Sequence, residues 1–157
     1  MSEIKKFLHE SLIANQHILS ADMEDKMVVY LELLQQWNRV YNLTAIRDMK
    51  ESVMLHIIDS LSIRPFLHGT RCIDIGTGAG LPGIPLAITC PDKQFVLLDS
   101  NSKKTRFLSQ AMYELQLKNV EVVHARCEDF KPVDKFNSIL SRAFASIQVM
   151  LDTTQHL

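Results

Sequence analysis

The chain has 157 residues, of which 46% are hydrophobic and 22% charged, and its formal net charge is −1. These values are typical of one globular domain and exclude a disordered, coiled-coil or collagen-like chain. A nearly neutral charge also argues against a strongly basic protein that coats nucleic acid.

The N-terminal part, residues 1–67, has the apolar periodicity of helices. A short helix is expected near 3–14, and a longer one after it, which Ser20 or Asp22 can cap. The apolar stripe of the longer helix consists of Met23, Met27, Tyr30, Leu31, Leu34, Trp37 and Tyr41. A further helix is expected at about 49–62. We therefore expect a helical cap in this part of the chain.

Residues 68–157 alternate between short apolar strands and helices. The predicted strands are 72–75, 94–99, 120–125 and 136–141. The predicted helices between the first three strands are 82–89 and 103–115. Such alternation indicates βαβ units around a parallel sheet. The predicted fold class is therefore α/β, a Rossmann-like sheet with an N-terminal helical extension.

The cysteines and the chain start indicate the compartment. Cys72, Cys90 and Cys127 lack the spacing of a zinc or redox site, which favours a reducing environment. The charged start does not resemble a signal peptide, and no apolar run approaches the roughly 18 residues that span a membrane. We expect a cytoplasmic protein.

A glycine-rich loop follows the first predicted strand and opens the next helix. Gly76, Gly78 and Gly80 alternate in it, which allows a tight turn and lets a ligand approach bare backbone. The N-terminus of the helix behind it offers free N–H groups. A turn without a ligand is the alternative, but three alternating glycines exceed what such a turn needs.

Two ligands compete for this loop. Gly78 to Gly83 matches the dinucleotide pattern G-x-G-x-x-G, with Asp99 near the expected ribose position. However, Gly78 lies two residues too late for that fingerprint. Counted from Gly76, the loop is G-x-G-x-G preceded by Asp74, and it resembles the loop of class I methyltransferases, which bind S-adenosylmethionine.

The acidic residues around the loop each have two interpretations. Asp99 can accept hydrogen bonds from both ribose hydroxyls, or it can cap the next helix. Asp74 can orient the loop or meet the ammonium group of the ligand, or it can be a structural carboxylate. Glu128 follows the third strand, where it can contact adenine or remain a solvated loop acid.

Five separated blocks carry a more specific likeness. They are WNRVYNLT at 37–44, HIIDSL at 56–61, DIGTGAGLPGIP at 74–85, LLDS at 97–100 and SRAFAS at 141–146. Together they resemble the ribosomal RNA small-subunit methyltransferase G family, also called glucose-inhibited division protein B. The resemblance implies a bacterial enzyme that methylates N7 of a guanine with S-adenosylmethionine. Its partner would be small-subunit ribosomal RNA or the assembling subunit.

The resemblance also implies site residues. Cofactor contacts fall, by matching position, at Gly76, Leu81, Cys127, Glu128 and Arg142. The loop and its neighbouring strand add Asp74, Gly78 and Asp99. Guanine N7 has a lone pair and no proton, so the transfer needs positioning rather than a general base. Asn42 and Arg142 are the candidates for positioning the guanine. The alternative for Asn42 is a turn that links two helices, and the alternative for Arg142 is a structural salt bridge.

His56 and Asp59 are three residues apart on one predicted helix. We expect them to form a buried hydrogen-bonded pair that locks the helix to the sheet, with a direct substrate role as the alternative. The sequence offers no third ligand beside them, so we reject a zinc site.

The family usually continues beyond the position of Leu157. The chain would then be C-terminally truncated, and its strand at 136–141 would be an uncovered apolar edge that favours self-association. One alternative function is therefore a catalytically weak or inactive S-adenosylmethionine-binding module. Another is a nicotinamide-dependent oxidoreductase, which the glycine register disfavours.

Overall fold

The computed structural model describes residues 2–142 and 146–157. The N-terminal part is helical, as predicted, with α1 at Glu3–Ala14, α2 at Ala21–Tyr41 and a third, irregular helix. That third helix consists of α3 (Met49–Ser52), a π-helical stretch (Val53–Ile58) and α4 (Asp59–Ser62). The predicted cap at Ser20 is confirmed, because its side chain accepts the Met23 amide of α2.

The second part is a four-stranded parallel sheet with the order β3-β2-β1-β4. The strands are β1 (Arg71–Ile75), β2 (Gln94–Asp99), β3 (Val120–His124) and β4 (Ser138–Leu140). The helices are α5 (Gly83–Thr89), α6 (Ser102–Glu114) and α7 (Ile147–Thr154). The predicted α/β class is confirmed.

The fourth strand is shorter than the predicted 136–141. The Phe136 amide donates to the Leu157 carbonyl at 2.9 Å instead of entering the ladder. The Asn137 side chain accepts the amides of Thr70 and Arg71, so regular pairing with β1 starts at Ser138. The regular strand therefore begins two residues later than predicted, although the Asn137 amide already donates to the Arg71 carbonyl at 2.8 Å.

The two faces of the sheet are covered differently. On one face, α5 and α6 pack against β2, and α1, α2 and the third helix join them in a single hydrophobic cluster. Its largest fully buried side chains include Tyr30 and Phe107. On the other face, Ile73, Val96 and Leu98 meet the C-terminal segment. The N-terminal helices are thus held by the same core as the sheet helices. In the described residues, no helix is long and apolar enough to cross a membrane.

Candidate functional site

The glycine loop joins β1 to α5 through backbone angles that side chains rarely adopt. Gly76, Gly78 and Gly80 have φ angles of +62°, +60° and +88°. A Cβ at Gly80 would overlap the Ile84 side chain, so this glycine is needed for packing. A Cβ at Gly76 would meet no atom within 4 Å. Gly76 therefore faces open space, where a ligand can approach the backbone.

Asp74 holds the loop from behind. Its Oδ2 accepts hydrogen bonds from the Thr77 hydroxyl at 2.7 Å and the Gly83 amide at 2.8 Å, and thus ties both ends of the loop to β1. The side chain is fully buried, and its Oδ1 has no partner within the described part of the chain. Burial raises the pKa of this carboxyl to about 7, against the opposing effect of those two hydrogen bonds.

A cleft of about 520 Å³ opens on the other side of the loop. It lies at the carboxyl ends of β1, β2 and β3, where ligands bind in open α/β sheets. Its lining includes Gly76, Asp99, Ser100, Lys104, Arg126, Cys127 and Glu128. The structure therefore brings together four of the predicted site residues, one or more from each strand end.

Asp99 links the cleft to the glycine loop. Its Oδ2 accepts the Gly78 amide at 2.9 Å, and its Oδ1 accepts the Asn101 amide at 2.8 Å. The alternative of Asp99 as the helix cap is wrong, because Asn101 caps α6 by accepting the amides of Lys103 and Lys104. An ionised carboxylate has about four acceptor positions, so Asp99 retains capacity for ligand hydroxyls.

Two cations in the cleft lining were not among the predicted residues. Lys104 lies in the first turn of α6, and Arg126 is two residues after β3. They line the same cleft as the carboxylates of Asp99 and Glu128, so the cleft has mixed charge. The position of Arg126 shortly after a strand end was a usable signal, since the carboxyl edge of the sheet is where a ligand binds.

Besides Asp74 and Gly78 of the loop itself, three predicted residues lie away from this lining. Leu81 is buried in the hydrophobic cluster shared with the N-terminal helices. Asn42 ends α2 in a left-handed conformation, and its Oδ1 accepts from Arg47 at 2.8 Å, which agrees with the helix-linking alternative. Arg142 lies 3.4 Å from the Asp59 carboxylate and donates to the Leu55 carbonyl at 3.2 Å. It thus joins the segment after β4 to the third helix.

The expected pair of His56 and Asp59 is wrong. The His56 Nε2 lies 3.1 Å from the Thr44 hydroxyl, its Nδ1 has no partner in the described residues, and Asp59 contacts Arg142 instead. The cause is the π-helical stretch, whose wider turn places His56 in the core and Asp59 near the surface. Burial, reinforced by the charge of Arg142, lowers the pKa of His56 to about 4.

Part of the fifth sequence block, residues 143–145, lies outside the described residues. The placement of that block is therefore known only at Ser141, Arg142 and Ser146.

Two solved methyltransferase structures share this fold. A protein assigned as a protein-L-isoaspartate O-methyltransferase from Plasmodium falciparum, in complex with S-adenosyl-L-homocysteine, superposes with a TM-score of 0.53 at 16% identity. The match covers 98% of this chain and 80% of that one. Coclaurine N-methyltransferase, bound to N-methylheliamine and SAH, gives 0.52 at 12% identity, over 88% of this chain and 49% of that one. At these identities, the likeness establishes the fold alone.

Sequence comparison is more specific. The ribosomal RNA small subunit methyltransferase G of Hydrogenovibrio crunogenus is 60% identical over 132 residues, which are 84% of this chain and 61% of that protein. The protein of that name from Shewanella frigidimarina is 48% identical over 94% of this chain and 72% of its own length. The chain thus spans between three fifths and three quarters of these relatives.

The family model described as rRNA small subunit methyltransferase G matches residues 23–157, which include the glycine loop, the cleft and most of the N-terminal helices. With this match and these identities, the chain belongs to the rRNA small subunit methyltransferase G family.

Proposed function

We propose that the chain binds S-adenosylmethionine in the cleft at the carboxyl ends of β1 to β3 and methylates N7 of a guanine in small-subunit ribosomal RNA. The observation that carries this proposal is the setting of Gly76. It lines the cleft at a positive φ, and a side chain there would enter open space rather than protein. The family membership supplies the chemistry.

The residues of the cleft fit such a cofactor. Gly76 leaves room for it beside bare backbone, and Asp99 presents a carboxylate with free acceptor positions for the ribose hydroxyls. Cys127 and Glu128, after β3, are proposed to contact the adenine end. Burial raises the pKa of the Cys127 thiol, so we assign this residue no nucleophilic role.

We propose that Asp74, Gly78 and Leu81 act by shaping the loop rather than by forming the cleft lining. Asp74 ties the loop ends together, the Gly78 amide is bound by Asp99, and Leu81 anchors the loop in the core. This division follows from the cleft lining, which includes Asp99 but none of these three residues.

S-adenosylmethionine, when bound, supplies an electrophilic methyl group on a sulfonium. The protein then has to place guanine N7 in line with that methyl group and to keep it unprotonated and unblocked. No proton is removed in the transfer, so none of the cleft carboxylates has to act as a base. Asn42 and Arg142 are proposed to help position the guanine, a role that the contact between Arg142 and Asp59 would support by fixing the guanidinium.

The decisive experiment is methyl transfer to small ribosomal subunits that lack this modification. Radiolabelled S-adenosylmethionine is used, and the RNA is digested to nucleosides. We expect label in 7-methylguanosine. Calorimetric binding of S-adenosylhomocysteine without transfer would leave a cofactor-binding module, whereas binding of NAD alone would overturn the proposal.

We further propose a helical cap at 1–67 on a cofactor-binding domain at 68–157, acting in the cytoplasm. The shared cluster between α2, α5 and α6 supports a fixed arrangement of the two parts.

Self-association through β4 is a separate proposal. In the described residues β4 pairs only with β1, so its outer edge has unpaired backbone groups. Light scattering should detect dimers that Leu140→Pro reduces, because the amides of Asn137 and Ile139 face β1 whereas the amide of Leu140 faces the open edge. A monomer at all concentrations would contradict this proposal.

A further inference from the structure

Tyr30 is a buried phenol that connects the N-terminal helices to the glycine loop. It lies in α2 with no exposed surface, and its ring centroid is 6.4 Å from that of Phe107 on α6. Its hydroxyl donates a hydrogen bond of 2.8 Å to the carbonyl oxygen of Ala79. This contact joins positions 49 residues apart in the chain.

The hydroxyl is the informative part of this side chain. A phenylalanine would fill the same space in the apolar cluster without the cost of burying a polar group. Because burial raises the pKa of Tyr30, the phenol stays protonated and remains a donor throughout the physiological pH range. Its one clear task in this setting is to bind the loop carbonyl.

The residue that accepts this bond, Ala79, lies in a flexible part of the loop backbone. Ala79 lies between Gly78 and Gly80, both with positive φ, and glycine loses more conformational freedom on ordering than other residues. The preceding amide, that of Gly78, is held by Asp99 from the cleft side. Tyr30 and Asp99 therefore fasten two peptide groups of the loop, 79–80 from α2 and 77–78 from β2, with one peptide group between them.

We infer that Tyr30 is a positioning residue for the cofactor. Its hydroxyl holds the glycine loop in the conformation that leaves the Gly76 side of the cleft open, and α2 thereby sets cofactor affinity. A loop ordered before binding loses less entropy when the ligand arrives. The identity of the cofactor rests on the proposed function, but the ordering of the loop does not.

The test is Tyr30→Phe, which removes the hydroxyl and keeps the ring. We expect the dissociation constant for S-adenosylhomocysteine to rise about three- to tenfold, the effect of one neutral hydrogen bond. We also expect faster hydrogen exchange at the amides of Gly78 and Gly80 in the protein without ligand. The Gly80 amide bonds to the Thr77 carbonyl at 2.9 Å and thus reports on the loop directly.

Thr89→Val is the matched control. Thr89 is also buried, and its hydroxyl donates to the Pro85 carbonyl at 3.1 Å, but it lies at the end of α5 away from the loop. It should reduce thermal stability without changing loop exchange or affinity. If Tyr30→Phe and Thr89→Val change loop exchange equally, Tyr30 is only a packing residue and the inference is overturned.

The affinity measurement and the hydrogen-exchange measurement together separate this inference from the proposed function. If the wild-type protein binds no S-adenosylhomocysteine, the proposed cofactor is wrong, while exchange at the loop amides still decides the role of Tyr30. If the wild type binds and Tyr30→Phe binds equally well with unchanged loop exchange, the inference fails and the cofactor proposal stands.

Discussion

Asp99→Ala is the change that best separates ligand binding from loop structure. In the unliganded protein the carboxylate already accepts two backbone amides, those of Gly78 and Asn101. Leaving such donors without a partner costs about 1–3 kcal/mol, and the open cleft lets water replace part of the loss. We therefore expect the free energy of unfolding to fall by about 1–3 kcal/mol.

The affinity for the cofactor should also fall, and by more than the weakened loop alone would cause. A hydrogen bond between a ribose hydroxyl and a charged group contributes about 1.5–3 kcal/mol, which corresponds to a roughly 10- to 150-fold higher dissociation constant. Asp99 is only 7% exposed, so solvent screening of the carboxylate is modest. Calorimetry with S-adenosylhomocysteine measures the affinity, and urea unfolding measures the stability.

Asp129→Ala is the matched control, because it removes the same charge from the exposed 3₁₀ turn after β3, outside the cleft lining. It should change the affinity less than twofold. If Asp99→Ala loses stability but binds S-adenosylhomocysteine within twofold of wild type, Asp99 serves the loop alone and the assignment to the ribose is refuted.

Three further predictions concern other parts of the site. Gly76→Val should abolish measurable S-adenosylhomocysteine binding, because its side chain enters the cleft and opposes the positive φ; calorimetry with near wild-type circular dichroism would support this, and unchanged affinity would remove Gly76 from the site. Arg142→Ala should lower methyl transfer at least tenfold with a small loss of thermal stability, whereas a variant that unfolds readily while its folded fraction stays fully active would leave Arg142 only the salt bridge to Asp59. The lowered pKa of His56 makes its contribution to stability fall as the pH drops from 6.5 to about 4, and the raised pKa of Asp74 makes its contribution fall as the pH rises from about 4 to 7. In the wild type these two trends oppose each other, whereas in His56→Gln only the Asp74 trend remains. The melting temperature of the variant should therefore fall as the pH rises from 4.5 to 6.5, while that of the wild type changes less. Identical slopes in both proteins would contradict this.

The sheet was predictable because its strands are short apolar runs between turn residues. β2 was expected at 94–99 and occupies Gln94–Asp99. The strand boundaries failed where side chains compete with the backbone ladder. Asn137 is the example: its side-chain oxygen accepts the amides of Thr70 and Arg71 at the start of β1, and regular pairing of β4 begins only at Ser138.

The position of the third helix was predicted from the sequence, but its geometry was not. Apolar periodicity located it at 49–62, but a single π-helical stretch changes which side chains share a face. Spacing of three residues predicts neighbours only in a regular α-helix. The pairing of Arg142 with Asp59 also joins positions 83 residues apart, and no local pattern indicates such a contact.

The acids of the site illustrate what spacing alone does not reveal. Asp74 is the penultimate residue of β1 and Asp99 the last residue of β2, near the same edge of the sheet, and either can be assigned to a ligand from sequence. Burial separates them: Asp74 is enclosed behind the loop, where Asp99 further raises its pKa, while Asp99 faces the cleft with acceptor capacity left. The two carboxylates lie on opposite sides of the glycine loop and repel each other, and burial, which raises the pKa of Asp74 to about 7, favours the neutral form of that buried acid and so reduces the repulsion. The loop thus needs one acid for its shape and the other for its ligand, and the difference between them arises from packing of α5 against β1 and β2 rather than from the identity of either residue.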